Sequence, residues 1–453
     1  MRWPPPLFRC ACPAASWWVA LRMAPHRDTL VSMNALTRVS LALAVPCTGM
    51  LGQPHDAAHE SRTARDSLAA MVTVLTTTVS PALDGRARTE VLATQPMVVL
   101  RGARWNGALQ YAGMANFERW TMPDGEPVAG IWGEGFVDRR HPHTVLHEAM
   151  ATGTATLPHV RASLSLGRGV VPFGTDDPML RPFTKYPANH HLAQSMERIV
   201  AVIAARPAPW LAVEVATFNG DEPLSPTAAP QWGRVGDSRA ARATLWPLPT
   251  LEVQASVAAV RSPEFVRAEG LDHQKQSASA RWTPKGKLLT YALAEWAQTG
   301  EAIGGRQVLT YGTALLETLA RSNTWTLALR AEQTSRPEDE RLLDPFRTSR
   351  PPNHLTIQGV TRWRIATVQV ARVLPATFRT HASLFVEGAR AALSPLLRPV
   401  LLDPRNISGA NVAWHVTLGL RAGLGSMSAR AGRYGVAAGD AATNVSLGMT
   451  HDH

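Results

Sequence analysis

Between Phe173 and Leu192 the chain gathers side chains of both charge signs, with titratable groups among them: Asp176, Asp177, Arg181, Lys185, Tyr186, Asn189, His190 and His191. Arg168 stands just ahead of them. Such a mixture can do chemistry in two ways. Asn189-His190 beside a serine would imitate the nucleophilic set of a membrane-embedded hydrolase. In a narrow water-filled passage the same charges would create a transverse field that orders solutes and sorts them by charge. No Gly-x-Ser-x-Gly elbow accompanies them. The only cysteines, Cys10, Cys12 and Cys47, lie in the first 52 residues, so a mature chain without them has no thiol nucleophile, disulfide or thiolate metal site. A solvated loop whose charges bind nothing would have the same composition, so placement decides the matter.

A second group, His141, His143, His147 and Glu148, invites a metal reading. The His-Glu-x-x-His order of a helical zinc site is absent. In an extended chain His147 and Glu148 face opposite sides. His141, His143 and His147 share a side but stand about 7 Å or more apart, too far for one ion without a kink. A pair such as His141 and His143 meeting His190 or His191 from another loop is the remaining metal arrangement. No cofactor motif is present.

The elements that must position these groups are strands. From Val412 to Leu424, Val412, Trp414, Val416, Leu418, Leu420, Ala422 and Leu424 alternate with small or polar residues for thirteen positions. Side chains of a strand point alternately to its two faces, so one face is apolar throughout. A globular strand averages about 5–6 residues, whereas a tilted strand crossing a bilayer needs about 9–11. The pattern recurs at 251–259, 325–332, 160–167 and 382–387. Polar-side residues Arg161, Glu252, Arg330, Glu332, Glu387 and Arg421 are then candidates for the inner wall of a barrel.

Short turns at 105–107, 158–159, 207–209, 248–250, 283–286, 321–323, 374–376 and Gly425-Ser426 alternate with longer polar linkers near 80–89, 122–142, 173–195, 219–237, 263–272, 299–305, 335–353, 392–410 and 438–441. Pro presets a turn and Asn-Gly accepts positive φ. Eight turns and nine loops imply eighteen strands. The expected fold is an all-β transmembrane antiparallel barrel of about 16–18 strands, with short turns at one end and long loops at the other. Trp105, Trp210, Trp246, Trp282 and Trp325 cluster beside the short turns, as interfacial aromatics do. A soluble, secreted polysaccharide-binding or hydrolytic β-protein would alternate too, but would turn its apolar stripes inward.

No run of 18 apolar residues exists, which excludes helical membrane spans. Met33-Asn-Ala-Leu-Thr-Arg followed by an apolar stretch from Val39 to Leu51 reads as an export signal. The division is therefore a leader over 1–52 (with 1–32 ahead of a second possible start), a flexible segment over 53–68, and one barrel over 69–453. The net charge is +11, and removing the leader's five arginines and one aspartate leaves +7. Arginines are spread along every segment, which fits solvated rims and an inner wall better than a nucleic-acid-binding face.

The segment Leu166-Gly-Arg-Gly-Val-Val-Pro-Phe-Gly174, preceded by the arginine-bearing strand Val160-Arg-Ala-Ser-Leu-Ser-Leu, resembles the Gly-x-x-x-x-Pro-Phe-Gly strand end of phosphate-selective porin-like outer-membrane barrels. The resemblance implies an outer-membrane channel for small hydrophilic solutes, delivered by the barrel-assembly machinery and embedded in the outer-membrane bilayer. It also implies that the loop after Phe173 folds inward and narrows the lumen. That makes Arg168, Asp176, Asp177, Arg181, Lys185, Asn189, His190 and His191 the constriction candidates. The family's lysine ladder has no counterpart among four lysines. Wall and loop candidates are balanced in sign, so the excess positive charge predicts a weak anion preference. It should grow as pH falls from about 7.5 to 5.5, where ordinary histidines gain charge. Reversal potentials in a salt gradient check this, and a pH response unchanged in His190→Ala/His191→Ala removes those residues from the constriction.

Overall fold

A computed structural model of the chain describes residues 66–81, 85–122, 143–175, 180–184, 195–223, 225–263, 267–286, 288–339, 357–375, 380–397, 409–425 and 432–438. Sixteen antiparallel strands lie among them: β1 Ser67–Ser80, β2 Arg88–Arg104, β3 Leu109–Asn116, β4 Leu146–Leu157, β5 Val160–Gly169, β6 Arg198–Ala208, β7 Leu211–Phe218, β8 Ser238–Leu248, β9 Leu251–Val260, β10 Asp272–Trp282, β11 Leu289–Ile303, β12 Arg306–Arg321, β13 Trp325–Asp339, β14 Ile357–Val373, β15 Thr380–Leu397 and β16 Val412–Leu424. Each bonds to its neighbours in sequence, and β1 closes on β16 from Ala70↔Leu424 to Ser80↔Trp414. No strand edge is left open. No helix among the described residues is long and apolar enough to cross a membrane.

Burial is inverted relative to a water-soluble fold. On β16, Trp414, Val416 and Leu418 are each more than half exposed, while His415 and Thr417 between them are fully buried. β9 does the same, with Val257 outward and Glu252, Gln254 and Ser256 inward. The apolar stripes thus face out, and the soluble β-protein alternative, which needs them inside, is not the arrangement adopted. Trp105, Trp210, Trp282 and Trp325 are exposed at the short-turn end. Trp246 departs from that belt. It lies on the inward side of β8, and its Nε1–H donates to Glu252 Oε2 at 3.1 Å.

Two features of the strand count change. β16 has β1 as its second partner, so no edge remains for the expected seventeenth and eighteenth strands. After Gly425 (φ 75°), the next described stretch, 432–438, lies inside the barrel and ends in a 3-10 turn at Gly435–Ala438. The linker expected over 299–305 shrinks to Gly304-Gly305 between β11 and β12, both at positive φ. Thr299 and Glu301, within the range expected as a linker, are buried on the inward face of β11.

The interior is not uniformly polar. Inward residues of β4 and β6–β9, including Met150, Val200, Val202, Phe218, Ala258 and Val260, form an apolar cluster with Val171, Phe173 and Tyr434. This half of the barrel holds a packed core between its wall and the chain that crosses it. Outside, the constraint is lipid. Leu418→Arg, midway along β16, should cost about 2–4 kcal/mol, and Leu424→Arg near its end about 0–1 kcal/mol. Urea unfolding in lipid vesicles reads the difference, and equal costs would show that this face does not meet hydrocarbon.

Candidate functional site

The polypeptide turns inward where β5 ends. Gly167 has φ 145°, and a Cβ there would collide with the Ala149 carbonyl, so the motif's first glycine is required sterically. The Val171 N–H donates to Ser195 O at 2.9 Å. Gly174, at φ 73°, donates its N–H to Ser256 Oγ at 3.0 Å, and its carbonyl accepts from Arg242 Nη1 at 3.2 Å. Arg242 is itself held by Glu214, at 2.6 and 2.8 Å. Phe173 is buried between these anchors, with Lys275 Nζ 5.8 Å from its ring centre.

Residues 180–184 bridge the interior. Leu180 packs on Ala69, Met71, Met97, Val99 and Met114, which line β1–β3. Arg181 reaches the opposite wall, donating to Glu295 Oε2 at 2.6 Å and lying 3.8 Å from Glu317. The Pro182 carbonyl accepts from Arg421 at 2.9 Å. Phe183 is fully buried among Tyr291, Leu293, Leu315, Leu319 and Ala328, beneath the Arg330 guanidinium at 4.5 Å. Thr184 donates its N–H and its hydroxyl to the Glu387 carboxylate at 2.9 and 2.7 Å. Burial works against the charge of Arg181, but Glu295 and Glu317 outweigh it and hold the guanidinium even more firmly protonated.

The structure therefore brings Arg181 into one network with Arg330, Glu387 and Arg421, while Glu332 stands 3.6 Å from Arg330. Glu252 belongs to a second network with Trp246, Gln254 and Arg433. Arg161 lies toward the short-turn end, in register with Arg206. Arg168 shares the strand side of Leu164 and Leu166, and its guanidinium donates to Thr144 Oγ1 at 3.1 Å at the opposite rim. Asp176, Asp177, Lys185, Asn189, His190, His191 and His141 lie outside the described residues. Glu295 and Glu317 were missed by the sequence reading, because their inward neighbours Leu293, Ala297, Leu315 and Leu319 are apolar and hide the alternation. Tyr434 and Arg433 gave no signal either.

The histidine cluster differs from expectation. His143 precedes β4, and the register of β3 with β4 skips from Met114↔Glu148 to Ala115↔Leu146. This bulge takes His147 out of the cross-strand register and lets both His147 and Glu148 become buried rather than face opposite sides. The rings of His143 and His147 meet edge to face at 5.3 Å instead of standing apart along an extended chain. Each serves a different carboxylate, His143 Nδ1 to Glu118 at 2.8 Å and His147 Nδ1 to Glu197 at 2.9 Å. Glu118 also accepts from Thr94, Gln95 N–H and His143 N–H. Burial pushes the Glu197 carboxyl up, but the His147 hydrogen bond, the nearby imidazoles and Thr144 bring it well below its ordinary range. Its stabilising contribution is therefore present above the unfolded value of 4.5 and is lost only as pH falls far below it. Among the described residues no group of three His, Cys, Asp or Glu has the geometry of a metal site.

No protein-family model and no curated protein matches the chain. Solved structures do. An anion-selective porin from Comamonas acidovorans aligns over 80% of this chain and 100% of its own, at 13% identity and a TM-score of 0.48. The outer membrane channel DcaP of Acinetobacter baumannii aligns over 81% and 98%, at 11% identity and a TM-score of 0.47. A loop-deletion mutant of OmpT from Vibrio cholerae aligns over 80% and 99%, at 8% identity and 0.46. The barrel assignment itself rests on the closed strand order and the outward apolar face described above.

Removing the cation from a buried pair strands its partner's charge. Arg181→Ala should destabilise the fold by about 3–5 kcal/mol, and Arg181→Met combined with Glu295→Gln should recover part of that loss. Urea denaturation in detergent micelles measures both. An Arg181→Ala loss below about 1 kcal/mol, the scale of a solvent-exposed pair, would show that the arginine does not hold the loop to the wall.

Proposed function

We propose that the protein is an outer-membrane channel for passive passage of small hydrophilic solutes, narrowed by residues 170–175 and 180–184. The observation that carries this reading is the segment 180–184, bonded to both sides of the interior of a closed barrel whose outside is apolar. Sixteen strands enclose a bore wide enough for water. A segment that crosses it and is fixed at Glu295, Glu387 and Arg421 reduces that bore without closing the wall. Arg330, Glu387, His415 and Thr417 are almost wholly shielded, so solutes would meet the crossing segment rather than these parts of the wall.

The lining would act on charge through fixed groups. Lys275, Arg281 and Arg421 each sit over an aromatic ring, of Phe173, Tyr291 and Phe385 respectively. Cations held this way lose little order when an anion approaches. The outward apolar belt needs lipid around it, and delivery to the outer membrane is the task of the export signal near 33–52 together with the barrel-assembly machinery.

Reconstitution into a planar bilayer under a salt gradient tests the proposal. The expected result is discrete conductance steps, smaller than those of an unobstructed sixteen-strand pore, with a weak anion preference. Residues 180–184 replaced by a Gly-Ser linker of equal length should raise the step size. A correctly folded, inserted barrel that passes no current would overturn the reading, and strong cation selectivity would overturn its charge assignment.

A further inference from the structure

The chain does not stop being structural at the last strand. Residues 432–438 follow β16 at the short-turn end, yet their partners lie along the inner wall of β4–β9. Arg433 forms a two-point pair with Glu252 on β9, at 2.7 and 3.2 Å. The Gly432 carbonyl accepts from Arg242 on β8 at 3.2 Å. The Tyr434 hydroxyl donates to Glu148 on β4 at 2.8 Å and accepts the Val170 N–H at 2.9 Å. Val436 donates its N–H to Ser163 on β5 at 3.2 Å. Val436 and Ala437 pack on Ala204 of β6.

The fit is specific at two glycines. Gly432 has φ 87°, and a Cβ there would meet Val170 at 2.9 Å. Gly435 has φ 54°, and a Cβ there would run into Ser163. A tail resting loosely in a wide bore would need neither. Val170 is also the first residue of the inward turn after β5, and Arg242 holds Gly174 as well as Gly432. The two crossing segments thus share anchors.

We propose that residues 432–438 are an internal strap, which pins the start of the inward loop to the β4–β9 wall and, with that loop, sets the aperture. The proposal rests on the channel reading above for its functional half, while its structural half stands on the contacts alone. Removal of the strap frees Val170 from one side, takes from Arg242 the Gly432 carbonyl while leaving it on Gly174, and empties part of the bore.

The test uses the full chain with Cys10, Cys12 and Cys47 changed to Ser, carrying Arg433→Cys and Glu252→Cys. A short cleavable bifunctional methanethiosulfonate should join the two positions in the folded, membrane-inserted protein. Joined, the channel should keep the parent conductance. Cleaved by reductant, the same molecules should conduct about twofold more, as expected if strap and loop entry fill about half the bore. Tyr434→Phe, which keeps the packing and loses the bonds to both Glu148 and Val170, should fold normally and give a smaller rise. No cross-link in a conducting barrel would overturn the strap and leave the channel reading intact. Efficient cross-linking with equal conductance before and after cleavage would overturn its role in the aperture. Efficient cross-linking in a protein that never conducts would overturn the channel reading and, with it, that role.

Discussion

Hydrocarbon offers a backbone N–H or C=O no partner, so a strand in lipid must be bonded on both sides. The β1–β16 seam meets that demand here, and the rest of the architecture depends on it. Closing the sheet removes the free edge, fixes both ends of the barrel at the short-turn side, and leaves each strand with one face to lipid and one to the interior. Burial then inverts. Leu418 and Val416 lie outside because lipid accepts them, while Thr417 and His415 lie inside because lipid does not.

Once the polar faces are inside, they face the opposite problem. A barrel this wide cannot fill its bore with wall side chains alone. The chain fills it with residues 170–175 and 180–184 and with the segment 432–438, and the wall is matched to each. Where the segments are apolar, as at Phe173, Phe183 and Tyr434, the wall turns apolar too, with Val200, Phe218 and Leu315. Where they carry charge or a carbonyl, the wall presents a partner, such as Glu295 to Arg181 or Arg421 to the Pro182 carbonyl. Buried groups left without such partners would cost more than the packing returns.

The alternation at 412–424 and 251–259 carried the barrel in plain view, because membrane strands are long and each residue reports its face. The Gly167 to Gly174 stretch likewise marked where the chain leaves the wall. Three things were hidden for physical reasons. Inward polar residues imitate loops, so Thr299 and Glu301 were read as a linker. A bulge changes side-chain parity without changing composition, so the shared burial of His147 and Glu148 could not be foreseen. Residues 432–438 lie inside the bore, and the closure of β16 on β1 excludes them from the wall. Pairing is a property of two segments, and a single alternating stretch does not reveal it.

The two crossing segments are coupled more tightly than their separation in sequence suggests. Arg242 donates to carbonyls of both, at Gly174 and Gly432, while Glu214 holds its guanidinium in place. Loss of either segment leaves one of those donor groups facing the interior unsatisfied, which favours both being seated together. Glu148 and Ser163 extend the same logic along β4 and β5, since their partners Tyr434 and Val436 also flank the exit of the inward loop at Val170. Phe183 and Thr184, by contrast, bind the far wall through Arg330 and Glu387 and touch none of these groups. The interior is therefore built as two halves joined through the loop. Each half combines apolar packing with paired charges: Arg242–Glu214 and Arg433–Glu252 stand beside the cluster at β4–β9, and Arg181–Glu295 stands beside the cluster around Phe183 at β11–β13.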